Sequence, residues 1–164
     1  MNLPPADVRL EREVIAALLR FPLDFWTTPE RTALRTIDVR DFFGDGERLL
    51  FGICQAFLEV GYERGFDRSE FDTWALSPRR VLRVLVHFPG GSKHGALLAE
   101  IVKRSDAVVR LLPCLQTIRE LASKRRALEP IETARFLALE GADTRLVVEQ
   151  LLLAASELER GGAP

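Results

Sequence analysis

An all-α fold, a multi-helix globular head followed by a long antiparallel helical hairpin, is what this sequence predicts. Three observations carry that expectation. Apolar residues recur at three- and four-residue steps through most of the chain, strand-like alternation of β-branched residues is scarce, and the prolines and glycines fall mostly between the periodic segments. At 164 residues there is room for one ordinary core, or a smaller head with a helical extension, and none for a second large catalytic domain.

The elements follow in order. Asp7 caps a first helix whose apolar face is Leu10, Val14, Leu18 and Phe21, ended by Pro22. Thr28-Pro29-Glu30 reads as an N-cap followed by proline at the first helical position, opening a short helix with Leu34 and Ile37. From Asp45, the residues Leu49, Leu50, Ile53, Phe57 and Val60 predict a central buried helix closing at Gly61. Ser69 to Asp72 starts a short helix with Phe71 and Trp74, and Ser77-Pro78 starts another with Val81, Leu82, Leu85 and Val86. The turn Pro89-Gly90-Gly91-Ser92 marks the boundary between a head, residues 1–91, and a hairpin extension, residues 92–164.

A helix with Leu97, Leu98, Ile101 and Val102 then leads to a bend at Pro113. The first long helix carries Leu115, Ile118, Leu121 and Ala122, resuming with Leu128, Ile131, Ala134 and Leu137 beyond a kink expected at Pro130. The chain folds back at Gly141. In the closing helix Val147, Leu151, Ala154 and Leu158 form one stripe for a partner helix to cover, while Leu146 and Leu153 lie on one flank and Val148, Leu152 and Ala155 on the other. That is far more than the roughly 100° arc a two-helix contact hides. Surplus apolar surface of this kind points to a further chain or domain docking there.

A formal net charge of −1 conceals segregation: residues 1–76 carry 9 basic and 14 acidic side chains, residues 77–126 carry 11 and 3, and residues 127–164 carry 3 and 7. No aromatics interleave the basic residues as a single-strand stacking platform requires, so protein contact ranks ahead of nucleic acid for this segment. Cys54 and Cys114, 60 positions apart in apolar patterns, read as thiols of a reducing compartment. With no signal-like opening and no bilayer-length apolar run, the expected location is cytoplasmic, without a membrane partner.

No catalytic constellation, cofactor or metal site is expected. Gly90-Gly91-Ser92-Lys93 lacks the order and spacing of a phosphate loop, His87 and His94 have no ligands at metal-binding spacing, and neither Cys54 nor Ser123 has a base at a recognisable offset.

Leu3-Pro4-Pro5, the acidic apolar helix from Leu10 to Leu19, Phe21-Pro22, Asp41-Phe42-Phe43 and the helix ending at Val60-Gly61 resemble the N-terminal domain of DnaB-type replicative helicases. So do Leu98-Ala99-Glu100-Ile101, Lys124-Arg125-Arg126-Ala127-Leu128 and Glu140-Gly141-Ala142-Asp143 with Val148 to Leu158. Phe43 and Glu47 stand where that family has tyrosine and histidine, and Gly65-Phe66-Asp67 is looser than its counterpart. The resemblance implies a non-catalytic module for DNA replication that self-associates, as a dimer or a larger and ring-like assembly, and docks primase or the replicative helicase. It carries no motor. The partner contacts it implies are Leu97, Arg125, Arg126 and Leu128, beside the surplus residues Leu146, Val148, Leu152 and Leu153. The competing expectations are the related helicase-binding domain of a primase, a stand-alone helicase loader or inhibitor, and a small DNA-binding protein using the basic segment.

Overall fold

The computed structural model describes residues 6–21, 25–63, 78–87, 91–103 and 110–162. All regular structure among them is helical: α1 (Val8–Arg20), α2 (Thr28–Thr36), α3 (Asp45–Glu63), α4 (Pro78–Leu85), α5 (Gly95–Lys103), α6 (Leu111–Leu139) and α7 (Thr144–Gly162), with single 3-10 turns at Val39–Asp41 and Gly91–His94. The short helix expected around Phe71 and Trp74 lies outside the described residues.

The chain divides into two compact units, one of which is Val8–Leu115. In it α3 packs against α1, α2 and α4, and α5 closes the set by packing on α1 and α4. The core is built from Val14, Ile15 and Leu18 of α1, Leu34 of α2, Leu50 and Phe51 of α3, Val81 and Leu85 of α4, and Ile101 of α5. Phe42, from the turn before α3, stacks on Phe51 with ring centroids 4.2 Å apart.

Several polar groups at this core are matched by charge or by backbone. Arg12 Nε reaches the buried Glu47 at 2.7 Å and its Nη1 reaches Glu100 at 3.0 Å, tying α1 to both α3 and α5. Glu47, which departs from the family pattern noted above, thus has a structural task as the buried counter-ion of Arg12. A side chain at Gly44 would strike the Glu47 carboxylate, so the ion pair also fixes that glycine. Glu11, equally buried, accepts a hydrogen bond from the Phe43 amide at 2.8 Å. From α3, Gln55 Nε2 donates to the Leu34 and Ile37 carbonyls at 2.9 and 3.1 Å, satisfying the open end of α2.

Glu30 occupies the junction of two helix beginnings. Its Oε2 accepts from the Thr27 amide and hydroxyl at 2.9 and 2.8 Å, and its Oε1 accepts from the Leu111 amide at the start of α6 at 3.1 Å. The cap of α2 is therefore Thr27, one residue before the expected Thr28, because only Thr27 leaves Glu30 at the third helical position from which a carboxylate reaches back. Burial pushes the Glu30 carboxyl up, but hydrogen bonds from Thr27, Leu111 and Leu112 outweigh it and hold the pKa below its ordinary 4.5. A depressed carboxylate stabilises the fold above the unfolded pKa, and that contribution is lost as pH falls through the folded value. Glu30→Ala is expected to lower unfolding free energy at pH 7 by about 1–2 kcal/mol, the size of a lost helix cap. In urea titrations its deficit against the native chain should shrink below pH 4; a pH-independent deficit would contradict the assignment.

Two other helix boundaries differ from expectation. α3 continues through Gly61 to Glu63. Pro113 falls in the first turn of α6, where its missing amide has no helical acceptor to serve, so it starts the helix instead of bending it. Helix α6 runs to Leu139 with Pro130 inside it. The compact units part at Leu115/Gln116, and Leu98 and Ile101 of α5 are buried within the first unit.

Candidate docking surface

The second unit contains Gln116–Pro164 and holds the rest of α6 and all of α7. Between the helices Gly141 adopts φ +70°, the left-handed conformation that suits glycine. The Gly141 amide donates to Ala138 O at 3.3 Å and the Ala142 amide to Leu137 O at 2.9 Å, the paired bonds that close a helix at such a glycine. Asp143 then caps α7 by accepting from the Arg145 amide at 2.9 Å. Helices α6 and α7 meet antiparallel. Ser123 Oγ donates to the Glu157 carbonyl, Arg126 Nε pairs with Glu157 Oε2 at 2.8 Å, and Gly161 lies against Ser123.

The residues on this seam are small: Ser123, Ala127 and Ala134 share one face of α6, and Ala154 and Gly161 share one face of α7, all of them buried. At the Ser123–Gly161 contact a side chain on Gly161 would strike Ser123, so there is no room for a larger residue there. The large apolar residues of α7 point elsewhere. Leu151 and Leu158, expected under the partner helix, are exposed, Leu151 to 49%. With Val148, Leu152 and Ala155 they complete an outer stripe at helical steps 148, 151, 152, 155 and 158, which begins beside the buried Ala154 and turns outward to Leu152. Leu152 is 66% exposed. Leu146 and Leu153, also exposed, occupy the opposite flank, separated from the stripe by Arg145, Glu149, Ser156 and Arg160.

The expected contact residues are thus dispersed. Val148 and Leu152 belong to the outer stripe, Leu146 and Leu153 to a flank, and Leu128 is exposed on α6. Arg126 is engaged by Glu157, which Arg160 also meets at 2.8 Å, and Arg125 is half-buried. Leu97 belongs to the first unit, where a side chain on Gly46 would run into it. Leu128 and Ile131 were placed on the same α6 stripe as Ala134, but they face outward because the seam follows Ala127 and Ala134.

Two surfaces were not foreseen. Of the residues assigned to the buried face of α3, Leu50 and Ile53 are buried, while Leu49 and Phe57 are half-buried and, with Ile53, Val39, Ala56 and Val84, line an open apolar groove of about 550 Å³. Phe136 and Leu139, near the α6–α7 turn, are 62% and 76% exposed. Their i, i+3 spacing was the available signal.

Burial pushes the Cys54 thiol up to about 12, the mark of an inert buried cysteine and not a nucleophile. Among the described residues no group of three His, Cys, Asp or Glu side chains is placed to hold a metal ion, and no helix is long and apolar enough to cross a membrane. Comparison of the chain with protein-family models, with curated proteins and with solved structures found no match.

Proposed function

We propose that this chain is a non-catalytic assembly and docking module of a replicative helicase–primase assembly, a helical head followed by an antiparallel hairpin, working by self-association and by binding primase or helicase. The observation that carries the assembly reading is the outer stripe of α7, five apolar residues in helical register facing solvent. Monomeric proteins rarely leave so ordered an apolar face open. The placement in replication rests on the motif resemblance alone.

Charge supplies a register for pairing. Arg145, Leu152 and Glu159 recur every seven residues along one edge of the stripe. Two copies of α7 packed antiparallel bring matching edges together, so Arg145 of one copy faces Glu159 of the other at both ends and Leu152 faces Leu152 at the two-fold axis. Sedimentation velocity at micromolar concentration tests the reading. A concentration-dependent dimer or larger species is expected, together with co-sedimentation on adding purified primase or helicase; a monomer unchanged by either protein would overturn it.

A further inference from the structure

The first unit offers a concave apolar site and the second a convex apolar one, and each is flanked by one acidic side chain and one arginine three positions later. The groove along α3 is lined by Gly52, Ala56 and larger apolar side chains, with Asp45 and Arg48 as the charged lining residues among those described. On α6, Phe136 and Leu139 share a face with Glu132 and Arg135. These are among the most exposed large apolar side chains described, and no seam or core residue covers them.

We propose that the groove of one copy receives Phe136 and Leu139 of a second copy, giving a head-to-tail contact separate from the α7 stripe. The rim charges support this occupant. Arg48 Nη1 and Asp45 form a loose, exposed local pair at 3.4 Å, and Arg135 and Glu132 another at 3.6 Å. Pairs of that kind contribute little where they are, so Asp45 can meet Arg135, and Arg48 Nη1, with its Nε still on the Phe42 carbonyl, can meet Glu132 across the contact. An aromatic and a leucine entering an apolar concavity exclude water from both surfaces at once. A contact joining unlike surfaces does not close on itself in a dimer; it propagates to a ring or a filament. Combined with two-fold pairing through α7, it links dimers into larger assemblies. Its small area makes it the weaker of the two, with a dissociation constant of roughly tens to hundreds of micromolar.

The test removes the α7 contact with Val148→Asp and Leu152→Asp in every chain, so failure of the α7 reading cannot imitate failure of this one. A 15N-labelled chain that also carries Phe136→Asp and Leu139→Asp has an intact groove and no insert. It is titrated with an unlabelled chain carrying Ala56→Trp, which fills its own groove from an exposed helix position and keeps its insert. Saturable amide shifts at Leu49, Ile53 and Phe57 are expected in that concentration range, and should vanish when the titrant also carries Phe136→Asp and Leu139→Asp. Absence of shifts at the groove, or shifts that persist without the insert, would overturn the proposal.

Discussion

Val148→Asp with Leu152→Asp will leave the chain folded and convert its micromolar assemblies to monomers. Both side chains are already about half or more exposed, so neither belongs to the seam that holds α7 on α6. Thermal or urea unfolding should therefore change by no more than about 0.5 kcal/mol, the usual effect of a surface substitution. Association is another matter, because each side chain would surrender about 1–2 kcal/mol of apolar burial and each carboxylate would have to be desolvated on pairing. The dissociation constant should rise by roughly 100-fold or more, equivalent to about 3 kcal/mol. The pair Leu146→Asp and Leu153→Asp, on the flank separated from the stripe, is the matched control and should weaken association far less. Equal loss in both pairs, read by sedimentation equilibrium, would mean that apolar surface in general and not this stripe drives assembly.

The second large effect concerns the fold. Phe51→Ala should lower unfolding free energy by about 3–5 kcal/mol, since Phe51 is fully buried and loses with its ring the stacked contact to Phe42. The turn before α3 holds Phe42 beside the Arg48 side chain, whose Nε donates to the Phe42 carbonyl at 2.6 Å, so the site has little freedom to collapse into the space left. For a domain with a total stability of about 5–15 kcal/mol this is a large fraction. Urea denaturation of the variant and the native chain measures it; a deficit under about 1 kcal/mol would show that α3 does not anchor the first unit as described. Phe57→Ala, on the groove side of the same helix and only half-buried, should cost clearly less.

Helix class and order were legible in the sequence, because periodicity at three and four residues survives whatever packs on it. Val14 and Leu18, Val81 and Leu85, and Leu98 with Ile101 are buried as their spacing predicts. Spacing does not say which of two adjacent apolar faces is covered. On α3 Leu50, Phe51, Ile53 and Cys54 are buried, while Leu49 and Phe57 are only half-buried at the groove, although the spacing of 49, 53 and 57 gives no sign of the difference. On α7 the stripe assigned to the partner helix is covered only in part: Ala154 is buried and Val147 half-buried, while Leu151 and Leu158 are exposed. The surplus on the closing helix was therefore larger than its sequence indicated. Prolines misled in the other direction: Pro113 reads as a bend until the helix start at Leu111 places it in the first turn. Glu30 shows what one dimension hides, since its bond to the Leu111 amide joins positions far apart in the chain that no local pattern connects.

The most direct measurement of two-fold pairing through α7 uses single cysteines and a short bismaleimide, in a background where Cys114, half-buried on α6, is replaced by serine. If α7 pairs antiparallel about Leu152, chains carrying Leu152→Cys will be captured as covalent dimers at micromolar concentration. Chains carrying Arg160→Cys will not, because the two copies of that residue would lie about 24 Å apart along the helix axes, sixteen residues at about 1.5 Å each. Capture through position 160 but not 152, or through neither, would contradict it.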